Sequence, residues 1–228
     1  MNIRVIFVVF LIIAFALGTG IWSYLSVQGL DINQAYEAGS LEIVQNSSAG
    51  SLPHEVTIKN NGQESVKIKI GDTLISSTSE NMVIAEDRII NPDSTVNIRT
   101  YCVEPGKRAL AGEKLIPTNN SSSRIIQIIK DSNSQSLEGN LKAQLQIWVL
   151  VSGGNLNIYR AEPYALRQTQ GLSYTEMQNN VSEAKIEVMT KFNLTEEQLK
   201  DLENLSDTDQ GQNWIDGIII WIRTNIGI

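Results

Sequence analysis

Cys102 is the only cysteine of the 228-residue chain, so it has no disulfide partner within it. A solitary thiol is oxidised, buried as a small hydrophobe, or committed to other chemistry. It sits in Thr100-Tyr101-Cys102-Val103-Glu104-Pro105-Gly106, where Val96, Ile98, Thr100 and Cys102 alternate onto one strand face before Pro105-Gly106 turns the chain away. About forty residues later comes Ala143-Gln144-Leu145-Gln146-Ile147-Trp148. Read as a helix advancing about 100° per residue, this run sets Gln144 among Leu141, Leu145, Ile147, Trp148 and Val151. A carboxamide on such a face finds a partner or costs roughly 1–3 kcal/mol for its unpaired groups. Cys102 and Gln144 are thus the positions at which chemistry is to be sought.

Other reactive side chains are few. With one cysteine and one histidine, a zinc site built from several such ligands is not available, and no metal or cofactor is expected. His54 precedes an alternating strand and reads as a surface or edge residue. No nucleophile elbow accompanies it, so a Ser-His-Asp or Cys-His triad is not supported. The net charge of −7 and pI near 4.8 exclude an electrostatic nucleic-acid footprint.

The elements that must hold these residues follow from periodicity. After Arg4, residues 5–25 run without a charge; about twenty-one residues at a rise of about 1.5 Å span roughly 30 Å, the thickness of a bilayer core. The run reads as a signal anchor with the remainder outside the cytoplasm, or as a signal peptide cleaved at a small-x-small site such as Ala14-Phe15-Ala16. Residues 26–40 read as a polar stalk. From 41 to 118 the period is two, in Leu41-Glu42-Ile43-Val44-Gln45, Glu55-Val56-Thr57-Ile58-Lys59 and Ser65-Val66-Lys67-Ile68-Lys69-Ile70, with Asn60-Asn61-Gly62-Gln63 as a hairpin turn between the last two. Short strands at this spacing predict an immunoglobulin-like β-sandwich. Residues 119–228 form a mixed segment with helices packed on it. Residues 141–151 fit either a strand or a helix, Ser173-Tyr174-Thr175-Glu176 and Thr195-Glu196-Glu197-Gln198 have the form of capping boxes, and 214–222 is a short apolar packing segment. The fold class is mainly β with a helical C-terminal layer, α+β.

Tyr101-Cys102-Val103-Glu104 and Ala143-Gln144-Leu145-Gln146-Ile147-Trp148 resemble the two motifs of bacterial surface thioester domains. The resemblance implies that the Cys102 thiol condenses with the Gln144 side chain, releasing ammonia, and that the internal thioester is attacked by amines of cell-surface or envelope proteins. Tyr101 and Trp148 would then be supporting residues that shield the bond. Such a protein adheres covalently and is at most a single-turnover acyl donor. The rival expectations are a non-catalytic envelope or binding module with an inert, buried Cys102, and an accessory subunit docking through residues 214–222.

Overall fold

The computed structural model describes residues 29–118, 121–133 and 135–208, with side-chain burial described as far as residue 202. The expected anchor or leader at 5–25 and the apolar segment at 214–222 lie outside them.

Among the described residues, nine strands and six helices make a mixed α+β fold. In chain order these are β1 (Leu30–Asp31), α1 (Ile32–Glu37), β2 (Leu41–Gln45), β3 (His54–Asn60), β4 (Val66–Ile68), β5 (Thr73–Ile75), β6 (Met82–Ile84), β7 (Arg88–Ile90), β8 (Ser94–Cys102) and β9 (Ile116–Thr118). The helices α2 (Ser123–Asp131), α3 (Leu137–Val151), α4 (Ala161–Thr169), α5 (Tyr174–Phe192) and α6 (Glu196–Thr208) follow. Alternation works as expected in β2 and β3, whose burial switches at nearly every residue.

Strand order departs from an immunoglobulin-like sandwich. Six strands form an antiparallel sheet in the order β2-β3-β8-β6-β5-β9. That sheet curls nearly closed, because β2 also meets the chain leading into β9: Val44 bridges Lys114, the Leu115 amide donates to the Ile43 carbonyl at 3.0 Å, and the Gln45 amide donates to Glu113 at 2.9 Å. The buried rows carry Ile43, Val56, Ile58, Leu74, Met82, Ile84, Ile98 and Leu115. A three-stranded sheet, β1-β4-β7, accompanies it.

Two further expectations are corrected here. The turn at Asn60 to Gln63 does not close a hairpin, since β3 pairs with β2 and β8 whereas β4 pairs with β1 and β7. The reason is the Asn60 side chain, which is buried and donates to the carbonyls of Glu64, Ile90 and Asn91, tying a crossover between the sheets. Nor is the described part of the stalk detached: β1 pairs in parallel with β4, and α1, opened by an Asp31/Gln34 capping box, buries Ile32 and Ala35 in the core.

The ambiguous run at 141–151 is helical. α3 is buried around most of its circumference, from Asn140 and Ala143 through Leu150, and packs against α2, α5, α6 and β8. A helix enclosed on nearly all sides has no single apolar stripe, which is why its periodicity alone did not settle its type.

Candidate functional site

The structure brings Cys102 and Gln144 together, but through the main chain of Cys102. The Cys102 amide donates to Gln144 Oε1 at 3.0 Å, and Gln144 Nε2 donates back to the Cys102 carbonyl at 2.8 Å. Pairing between β3 and β8 ends at His54 opposite Thr100, so the next outward-facing amide and carbonyl of β8 have no strand beside them. The Gln144 carboxamide completes the ladder in the strand's place, as buried main-chain groups require. Nearby, the Tyr101 hydroxyl donates to Asn140 Oδ1 at 2.8 Å, fixing α3 to β8 a second time. Both expected supporting residues, Tyr101 and Trp148, are buried in the core.

The thiol itself faces elsewhere. Its polar neighbours are the Glu80 carboxyl and the Trp148 indole N–H. Burial pushes the Cys102 pKa well above its ordinary value, and the Glu80 charge pushes it further the same way. At neutral pH the group is a protonated thiol, without the thiolate that nucleophilic chemistry needs.

Beyond Cys102 lies a buried polar cluster. Inward-facing positions at one end of the curled sheet, Gln45 closing β2, His54 opening β3 and Thr100 and Cys102 closing β8, are joined by Ser79 and Glu80 from the β5–β6 turn. Glu162, in the first turn of α4, completes the set. Ser79 Oγ donates to Gln45 Oε1 at 2.6 Å and accepts the Leu110 amide at 3.0 Å, which fixes the turn. Glu162 accepts the Gly50 amide on Oε1 at 2.5 Å and the Ala109 amide on Oε2 at 3.1 Å. Just before it, Ala161 holds a φ of 47°, a left-handed conformation that costs an L-residue about 1–2 kcal/mol.

At the centre, His54 Nε2 lies 3.4 Å from Glu80 Oε1 and 3.2 Å from Glu162 Oε1. All three residues are 1 % exposed or less. Burial first, and the Glu162 charge second, push the Glu80 pKa up to about 9, against a smaller downward pull from the Cys102 thiol. His54 is thus an interior residue, correcting the expectation of a surface or edge position. One signal for it was present in the sequence: His54 is in phase with Val56 and Ile58. Glu80, in the polar loop Ser76-Ser77-Thr78-Ser79-Glu80-Asn81, and Glu162, beside Pro163, carried none.

Fold and site define an α+β domain whose nearly closed sheet is plugged at one end by a buried His/Glu/Glu/Cys cluster. A family model matches residues 13–225, and the chain belongs to that family, ARPP-1, described as the ARG and Rhodanese-Phosphatase-superfamily-associated Protein domain. No curated protein and no solved structure matches the chain.

This membership overturns the resemblance to surface thioester domains, on which the thioester and adhesion roles of the two motifs rested. It also corrects the anchored, outward-facing location. The match begins inside residues 5–25, so part of that run belongs to the family's own sequence. Among the described residues no helix is long and apolar enough to cross a membrane.

Proposed function

We propose that the chain is a non-catalytic binding module that serves as the accessory of a protein partner. The observation that carries this reading is the sealed state of its candidate reactive pair. Cys102 and Gln144 are both fully buried, the thiol is held protonated, and the carboxamide is spent on two main-chain hydrogen bonds. A substrate would have no nucleophile to meet at these positions.

Outside, the chain offers groups suited to recognition. Tyr159 and Tyr174 are 62 % and 40 % exposed, with ring centroids 5.0 Å apart. The Arg167 guanidinium lies 4.0 Å from the Tyr174 ring centroid and 5.4 Å from that of Tyr164, and it donates to the Leu172 carbonyl at 2.8 Å. Tyrosine and arginine, pre-stiffened in this way, are the residue types that dominate binding hot spots. The wording of the family description, ARG and Rhodanese-Phosphatase-superfamily-associated Protein domain, supports a partner of the rhodanese-phosphatase superfamily.

Light scattering coupled to size-exclusion chromatography tests the reading, with the chain mixed with a purified rhodanese-phosphatase-superfamily protein from the same source. A stoichiometric complex is expected, weakened about 10- to 100-fold by the paired substitutions Tyr159→Ala and Tyr174→Ala. Separate elution of the two proteins overturns the partner assignment. Rapid titration of Cys102 by a disulfide reagent in the folded protein overturns the sealed interior.

A further inference from the structure

We propose that His54, Glu80 and Glu162 bind one divalent first-row transition-metal ion through the imidazole Nε2 and the two carboxylates, tying β3, the β5–β6 turn and α4 together. Four observations carry this. The three donor atoms all lie within 4.8 Å of one another. Separations of 3.2 and 3.4 Å from Nε2 to the two carboxylates match neighbouring ligands around an ion bound at about 2.0–2.2 Å, for which the polyhedron edge is roughly 3.0–3.5 Å.

Glu80 is fully buried, yet neither of its oxygens accepts an oxygen or nitrogen donor's hydrogen bond. A buried acid with no oxygen or nitrogen donor is poorly satisfied, and coordination is one of the few ways to satisfy both of its oxygens at once. Among the described residues the only basic side chain within ion-pair reach of Glu80 or Glu162 is His54, so two acids share one imidazole. A bound dication would balance the two carboxylates that coordinate it.

The surroundings are those of an outer shell. The Gly50 and Ala109 amides orient Glu162, and the Cys102 thiol lies against Glu80. One nitrogen with carboxylate oxygens selects zinc, manganese or iron over calcium and magnesium, which take oxygen alone. With Glu80 bidentate, four protein atoms close the shell. The site is therefore a structural staple, independent of whether the partner proposed above exists.

The test uses the full chain, stripped with a chelator and then equilibrated separately with Zn²⁺, Mn²⁺ and Ca²⁺. Elemental analysis after desalting is expected to find one Zn²⁺ or Mn²⁺ per chain and no retained Ca²⁺. At an ion concentration about 100-fold above Kd, the melting temperature rises by about 5–10 °C. Glu80→Gln and Glu162→Gln preserve shape and lower affinity at least about 100-fold, whereas Glu187→Gln, at a surface pair with Lys142, leaves it unchanged. Should the site variants fail to fold, X-ray absorption of the zinc-loaded native chain decides: nitrogen and oxygen neighbours at about 2.0–2.2 Å support the assignment, and a sulfur neighbour near 2.3 Å overturns it. Folded protein retaining neither Zn²⁺ nor Mn²⁺, or equal retention by the Glu80→Gln variant, also overturns it.

Discussion

The Gln144 carboxamide makes two hydrogen bonds that a strand neighbour would otherwise make to Cys102. Gln144→Ala leaves a buried amide and a buried carbonyl unpaired, and at about 1–3 kcal/mol for each such group the non-additive loss is about 2–4 kcal/mol. Urea unfolding should show a lower midpoint at an unchanged slope. A loss below about 1 kcal/mol would mean that water or a neighbouring group takes over both bonds. A second residue-scale prediction concerns Asp72, whose pKa is raised by burial despite the Lys69 amide on its Oδ2 at 2.7 Å. For an acid with a raised folded pKa, the folded state holds its proton longer than the unfolded chain does. Asp72 therefore makes stability fall as pH rises from its unfolded value near 3.8 through the higher folded value. Asp72→Asn keeps an acceptor for the amide and removes the penalty. The variant should match the native protein near pH 3 and exceed it above the folded pKa, as read by denaturant midpoints across pH; equal midpoints at pH 7 would refute the assignment.

At the scale of elements, the loop between β2 and β3 is where sheet and helices meet around the cluster. Gly50 holds a φ of 82°, and a Cβ built on it would sit 2.4 Å from Thr169 Oγ1 and 2.6 Å from the Ala165 carbonyl on α4. Its amide also donates to Glu162. Gly50→Ala combines left-handed strain with a main-chain clash, and a loss of about 2–4 kcal/mol is expected. In a chain of this length that lowers the melting temperature by roughly 5–15 °C, and an unchanged melting temperature would show that the loop does not depend on α4. Helix ends were legible at this scale. The Ser173/Glu176 box forms as its spacing implies, and Thr195 and Gln198 exchange the same pair of bonds at 2.9 and 3.2 Å. Local side-chain chemistry decides such caps, with no help from distant segments. The hairpin expected at Asn60 failed for the opposite reason, since its partner carbonyls, Ile90 and Asn91, lie about thirty residues away.

For the whole molecule, closure of the six-stranded sheet is the decisive feature. An open sheet leaves edges that fray and pair with other chains. Here β2 is covered by residues 112–115, through bonds from the Gly112, Gln45 and Leu115 amides. Native-state hydrogen exchange should find these three amides opening with the global unfolding free energy, unlike those of a fraying edge. Exchange within minutes at neutral pH would show that the seam between β2 and the chain before β9 opens independently of the core.

Alternation in β2, β3 and β8 as far as Thr100 was determined by the sequence alone, because one face of each strand must be apolar wherever the other meets water. So were the capping boxes of α5 and α6, which depend on residues three positions apart. The inward phase of Cys102 was legible on the same grounds. Tertiary structure alone decided that α3 is a helix enclosed on nearly all sides, that 31–40 folds into the core, and that Gln144 serves the main chain of Cys102 instead of its thiol. It alone assembled His54, Glu80 and Glu162, three residues from a strand, a turn and a helix whose charge and burial become a chemical problem only once the sheet curls and brings them within a few ångströms.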